Sequence, residues 1–348
     1  MLQAPSRQPA ATVEETTPEG RAAAGERPSR ARVSVADLAE RYGLVLVWAA
    51  IVVVFSLLRP ETFFTVATLQ TVLGSQAVLL VLTLGLLFSL RVGEFDLSVA
   101  GTMSLALVLV GYLNVLQGWP IGLAVAAALL AGVAVGAINA FMVLVVGVES
   151  IIATLGMGTL LLGIGFGINS EITDGVSASL TDAVTTRLLG LPLVFFYATL
   201  LTALAWYVFS CTPLGRYLFV VGANRSVARL SGLRVEAIRA LALIVTSFVS
   251  ALAGVLLAGQ LGSSSPNTAQ AYLLPAFAGA FLGSTVIKPG RFNPVGSFIA
   301  VYFLVTGITG LNLLGQTGWV EQVFYGASLM VAVAFSTVLG RKRATEVK

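Results

Sequence analysis

A chain of 348 residues that is 57% hydrophobic and only 10% charged lies far from soluble domains, where about a quarter of residues carry charge, so it reads as an integral membrane protein. Histidine is absent and Cys211 is the lone cysteine, which excludes a His-activated nucleophile, a His-based zinc site and an intrachain disulfide. No Gly-x-x-x-x-Gly-Lys-Ser/Thr phosphate loop occurs, so the chain is expected to be no enzyme, to hold no metal or cofactor and, despite a pI near 9.4, to bind no nucleic acid.

Residues 1 to about 32 are rich in Ala, Pro, Glu, Arg and Thr without a periodic apolar face, the composition of a disordered tail. The first apolar run starts only at Gly43, too late for a secretory signal. Just before it, Ser34 can cap a short helix with Val35, Leu38, Ala39 and Tyr42 on one face, expected to lie on the membrane surface. Residues 1–42 therefore read as a cytoplasmic tail plus interfacial helix, 43–340 as a transmembrane domain and 341–348 as a second tail. Ten apolar runs follow one another: 43–58, 69–90, 97–116, 121–146, 150–169, 190–210, 239–261, 271–287, 295–313 and 319–339. They are leucine- and valine-rich rather than alternating, which suits helices and not a barrel. The fold class expected is all-α and polytopic, with about ten transmembrane helices, some broken or re-entrant. The irregular ones are 69–90, which runs into Arg91–Asp96 without a clean loop, and the short 271–287, which carries Pro275.

An even number of spans puts both termini on one side. With that side cytoplasmic, only Arg59 and Arg187 of the 20 basic residues fall outside, a bias that sets orientation. The largest external loop is then 169–189, with Glu171, Asp174 and Asp182; it is a surface for an external protein or a plain connector. Gly93-Glu94-Phe95-Asp96 and Gly290-Arg291-Phe292-Asn293 each end one span and precede the next, as an internal repeat would, and as chance also gives.

The main interruption of apolar character is 211–239. Within it Asn224 can cap a two-turn helix, about 12 Å long at 1.5 Å per residue. Val227 and Leu230 lie on one side of that helix, Arg225 and Arg229 on another, and Gly232 stops it. Such a helix fits a groove on a partner; a bare topology anchor would need the arginines but not the caps. Glu94 and Asp96 are too costly to face lipid, at roughly 2.5–3.5 kcal/mol each near mid-bilayer. Arg91, three residues before Glu94, is the expected partner, and Asp96 can cap the helix that opens at Leu97; the alternative is direct contact with solute. Asn114, Asn139, Thr154, Asn169, Gln260 and Asn312 stand out as neutral polar groups near or within spans. Each serves helix packing, at about 0.6 kcal/mol, or a weakly polar solute pathway. Glu94, Asp96, Asn139, Thr154 and Asn312 are the pathway candidates. Gly132/Gly136, Gly163/Gly167 and Gly279/Gly283 allow close helix approach and read as bundle packing.

At Gly93–Ser98, Ile152–Met157, Leu214–Tyr217, Gly222–Asn224, Arg229–Gly232 and Gly310–Gly315 the chain resembles the membrane permease subunit of ribose/xylose-type ABC importers, in order and spacing, over roughly residues 43–340. The resemblance implies a permease that pairs with a second copy or a paralogous permease in the bacterial inner membrane. It also implies two separate ATP-binding subunits on the cytoplasmic face, which use the ATP, and a periplasmic or extracellular binding protein that delivers a small solute, a monosaccharide in such systems. It places the ATPase-coupling surface on Gly215, Arg216, Gly222, Asn224, Arg225, Ala228, Arg229, Leu230, Ser231 and Gly232. The chain departs from that pattern at Glu149-Ser150, where Pro-Phe is usual, and at Leu273 and Pro275, where acidic residues are. It departs again at Ile287–Arg291, in place of a glycine-rich turn. These changes leave open a permease for an amino acid, polyol or signalling molecule. An ion-coupled secondary transporter is the rival from another class, and would want acids at mid-span.

Overall fold

Runs of apolar residues can satisfy their backbone within a bilayer only as helices, and helices dominate the computed structural model, which describes residues 35–316 and 318–346. In chain order these are α1 (Val35–Leu58), α2 (Val66–Ser75), α3 (Ala77–Arg91), α4 (Val99–Gly111), α5 (Ile121–Phe141), α6 (Ser150–Ile168) and α7 (Ala178–Thr185). There follow α8 (Leu193–Cys211), α9 (Pro213–Ala223), α10 (Arg225–Leu230), α11 (Val235–Leu261), α12 (Leu273–Gly283), α13 (Pro294–Leu313) and α14 (Trp319–Glu346). Helices α4 and α5 each run on through a π turn, Tyr112–Leu116 and Met142–Val146. Among the described residues seven stretches are long and apolar enough to cross a membrane; Tyr42–Leu58 and Trp319–Ala334 are shorter apolar helices.

Both irregular spans are interrupted, though not as their sequences suggested. The 69–90 run breaks in its middle, at Gln76, between α2 and α3. The 271–287 run is a 3₁₀ turn, Thr268–Tyr272, leading into the 11-residue α12. Pro275 does not break α12, because it sits in the first turn, where its missing N–H would have no partner anyway. The surface helix expected before Gly43 is instead the start of α1, which runs unbroken to Leu58. At the other end α14 continues through 341–346, where a tail was expected. The N-terminal tail itself lies outside the described residues.

Helix α11 is the axis of the bundle, with α3, α4 and α5 against it. Side chains of α3 are buried on every face, from Val78 to Leu87, the pattern of a helix enclosed by others. The small residues work as expected at two of three motifs. A Cβ on Gly136 would stand 2.6 Å from the Ile244 backbone of α11 and one on Gly132 2.5 Å from Ala251. Gly279 and Gly283 press on Val301 and Ser297 of α13. Gly163 and Gly167 of α6 meet nothing within 4 Å, and only 17% of that span is buried, so this face is turned to lipid or to another chain.

The 169–189 segment is more ordered than a plain connector. It holds α7 and two short antiparallel pairs, Thr173–Asp174 with Ser263–Ser264 and Arg187–Leu188 with Leu191–Pro192. Asn114 fastens it by accepting from the Ser177 N–H at 2.9 Å.

Gly136→Leu should lower the thermal unfolding midpoint of the detergent-purified protein, since overpacking costs about 1–3 kcal/mol. Gly163→Ala should leave that midpoint in place or raise it, the helix gaining propensity in open space. Equal midpoints for Gly136→Leu and the wild type would rule out the close approach to α11.

Candidate functional site

The 211–239 segment turns out of the last turn of α8 by a local code. Thr212 Oγ1 accepts from the Gly215 N–H at 3.3 Å and Pro213 takes the first helical position of α9, where its fixed φ is favourable. At Gly222 the helix lies against the end of α3, and any Cβ would run into the Arg91 carbonyl. Asn224 then caps α10, its Oδ1 accepting from the N–H groups of Ser226 and Val227 at 2.9 and 3.1 Å. Gly232, at φ +79, ends it, with its N–H on the Arg229 carbonyl and that of Leu233 on the Ala228 carbonyl, a left-handed C-terminal cap.

The residues singled out here divide by facing. Gly215 and Ala228 are buried and, with Gly222, seat α9 and α10 on the bundle. Leu230 is 89% exposed and Val227 52%, while Arg216, Arg229 and Ser231 are also exposed. Arg229 pairs with Glu236 at 2.5 Å, a solvent-exposed contact of little energetic weight.

Glu94 does not pair with Arg91. Its carboxylate is buried and receives two other guanidiniums, Arg225 of α10 at 2.6 Å and Arg239 of α11 at 2.6 Å, the latter also through Nε at 2.7 Å. Gly93, at φ +78, turns the chain out of α3 so that Glu94 points at these arginines, and Arg225 also reaches the Gly93 carbonyl at 3.5 Å. Arg91 instead lies over the Phe209 ring at 4.3 Å and donates to the Phe209 carbonyl at 3.4 Å. Removing one partner of a buried charge set costs about 3–5 kcal/mol, so Glu94 is a fastening between α10, α11 and the α3–α4 loop.

Two residues further on, the same loop is held from inside. Asp96 Oδ1 accepts from the Ser98 N–H and hydroxyl at 2.9 and 2.5 Å, and Asn139 of α5 donates to Ser98 Oγ at 2.8 Å. Thr154 of α6 accepts from the Leu97 N–H at 2.9 Å, and Ser150 Oγ from the Phe95 N–H at 3.3 Å. Burial pushes the Asp96 carboxyl up to about 6, against the downward pull of its Ser98 hydrogen bonds. Three pathway candidates, Asp96, Asn139 and Thr154, thus converge, but on the protein's own loop, and all are fully buried. Asn312 stands apart, exposed at the end of α13. Sequence reasoning missed Arg239, Ser98 and Ser150 as members of this cluster. Arg239 was visible only as part of a basic run, and nothing local marks which way it faces.

The second loop of similar sequence has a parallel build. Gly290 sits at φ +77, Asn293 Oδ1 caps α13 through the Gly296 N–H at 2.7 Å, and Arg291 lies over Phe219 at 4.2 Å. Phe281 of α12 stands between the two loops, 6.1 Å from Phe95 and 5.3 Å from Phe292.

The family model described as branched-chain amino acid transport system / permease component matches residues 68–333. The ribose import permease protein of Escherichia coli K12 is 31% identical over 307 residues, 85% of this chain and 93% of that protein. The one from Haemophilus influenzae is 30% identical over 298 residues, 84% and 92% of the two chains. The autoinducer 2 import system permease protein of Yersinia enterocolitica is 31% identical over 248 residues, 69% of this chain and 75% of that one. No solved structure matches the chain. With a braced, partly apolar helix carried at one end of a bundle of apolar spans, and with three quarters of its length matching one model, the chain belongs to this family of transport-system permease components.

Proposed function

We propose that the chain is the membrane permease of an ATP-driven bacterial importer and passes a monosaccharide received from an external binding protein. The observation that carries the reading is α10. A capped helix presenting Leu230, 89% exposed, on a basic segment outside the apolar spans has the build of a ligand for a groove. The bias of basic residues puts that end in the cytoplasm, where two ATP-binding subunits would grip it. The permease itself breaks no bond and is not an enzyme.

Movement of α10 cannot remain local. Arg225 carries it to Glu94, Glu94 to Arg239 of α11, and the loop that follows Glu94 opens α4, which lies between α6 and α11. A push on α10 therefore tilts α4 and α11 together, the rocking that alternating access requires. In this reading Glu94, Asp96, Asn139 and Thr154 transmit force and do not touch solute. The open Gly163/Gly167 face of α6 is where a second permease, identical or paralogous, would pack.

The autoinducer 2 relative supports a second reading, in which the solute is a small signalling molecule. An ion-coupled transporter has less behind it, since Glu94 is held by two arginines and Asp96 sits at the head of α4 rather than at mid-span, bonded through Oδ1 to Ser98 with its buried Oδ2 unpartnered among the described residues. Calorimetry of the companion binding protein against ribose, allose and autoinducer 2 separates the solutes; heat from the last alone would replace the sugar.

Reconstituted in vesicles by itself, the permease should not concentrate solute, and accumulation without an ATP-splitting companion would end the importer reading. Leu230→Asp should cut co-purification of the ATP-binding subunits at least about tenfold, the cost of a lost anchor at a docked helix, while the permease still inserts. Glu94→Gln should retain co-purification yet lose uptake; wild-type uptake in that variant would remove the transmission route.

A further inference from the structure

Between the end of α8, α9 and the loop that joins α12 to α13 lies a cavity of about 350 Å³. Four cations border it, Arg91, Arg216, Lys288 and Arg291, and among the described residues no carboxylate does. Among the described residues the carboxylates paired at this end are Glu94 and Glu236, and their partners are Arg225, Arg239 and Arg229. The four cations of the cavity make no ion pair among the described residues, and Arg91 Nε is buried with no hydrogen-bond partner. A neighbouring cavity of about 270 Å³ shares Arg91 and Arg291 as its wall.

Arg91 and Arg291 carry their Cζ atoms over the Phe209 and Phe219 rings, at 4.3 and 4.2 Å, so aromatic contact anchors both guanidiniums at the cavity wall. Arg91 spends one N–H on the Phe209 carbonyl at 3.4 Å, which leaves its Nε as the donor open to an acceptor in the cavity. The loop bearing Lys288 and Arg291 is held in an unusual shape. Ile287 sits at φ +63, a region β-branched residues rarely enter, and Asn293 Nδ2 lies 3.1 Å from the carbonyls of Gly283, Val286 and Arg291. Strain kept by surrounding bonds at a cluster of like charges is characteristic of binding sites. Trp206, exposed at the cavity rim and a little over one turn from the end of the α8 span, puts the mouth at the depth of lipid headgroups.

We propose that this cavity binds a phosphate group, of an anionic phospholipid headgroup or of a soluble phosphate. Like charges gathered around one space repel each other, and a phosphate accepting from two guanidiniums and one ammonium offsets that repulsion with charge-assisted hydrogen bonds.

The full chain in phosphatidylcholine nanodiscs is compared with and without phosphatidylglycerol, and separately with inorganic phosphate against chloride at equal ionic strength. Thermal midpoint and lipid retained in native mass spectrometry are the readouts. The wild type should be stabilised in at least one arm; phosphatidylglycerol alone assigns the site to lipid, and phosphate alone to a soluble ligand. Preference should fall about fivefold for each charge removed in K288Q/R291Q. If that double variant unfolds in phosphatidylcholine, R216Q, whose side chain is exposed, carries the comparison. No stabilisation of the wild type in either arm, or wild-type preference in the folded variants, overturns the site.

Discussion

The carboxylate of Glu94 holds the working end of this protein together. It is a single buried anion reached by two guanidiniums, one from the short α10 and one from the long α11. Removing such a charge from water costs several kcal/mol and is repaid only when partners are close and well aligned. Both are within 2.6 Å, so the arrangement is satisfied only with α10, α11 and the α3–α4 loop in one register. A helix of six residues has almost no stability of its own. The Asn224 cap, the Gly232 stop and the Arg225–Glu94 contact give α10 a fixed place without burying the side chains it presents.

The rest of the bundle is arranged so that this register matters. Helix α11 is both a partner of Glu94 and the axis against which α3, α4 and α5 lie. Close backbone contact at Gly132 and Gly136 makes α5 and α11 move as one, because packed interiors shift between discrete arrangements and deform little. By contrast α6 and α8 are buried over only 17% and 28% of their spans, so they meet lipid or a neighbouring chain. The break at Gln76 falls where irregular backbone is tolerated in a membrane protein, shielded by other helices: the residues flanking Gln76 are half-buried or buried.

Much of this was legible in the sequence where the signal is local. Apolar run length fixes spans, and nearly all of the ten runs coincide with helices. The Asn224 cap and the Gly232 stop are codes read over three or four residues, and both are used as read. What the sequence hid is contact at long range. Spacing rules offered Glu94 a partner three residues away, whereas its real partners lie 131 and 145 positions off. Likewise the irregular sequence of 69–90 is at its Arg91 end, while the break is at Gln76, preceded by Gly74 and Ser75, a pair that can kink a helix but often does not. Polar residues within spans stand out in the sequence, but a buried Asn or Thr bonding the protein's own loop has the same sequence signature as one bonding a solute. The contacts of Asn139 with Ser98 and of Thr154 with Leu97 join positions 41 and 57 residues apart, beyond the reach of any local pattern.

The arginines and lysines of the basic end carry one further argument. Orientation in a membrane depends on how many basic residues lie on a side and hardly on where each points. A chain selected for topology alone would leave them in solvent, as Arg234 is left. Here they fall into two ordered sets. Arg225, Arg229 and Arg239 are matched to carboxylates, and they link α10 to α11 and to the α3–α4 loop. Arg91, Arg216, Lys288 and Arg291 surround a cavity whose described walls hold no carboxylate, and two of them are fixed by aromatic rings. The first set joins elements of this chain to one another. The second is complementary to something negative that the described residues do not supply, and since Arg91 also closes on α8 and abuts Gly222 of α9, an anion there would stiffen the hinge from which α9 and α10 project.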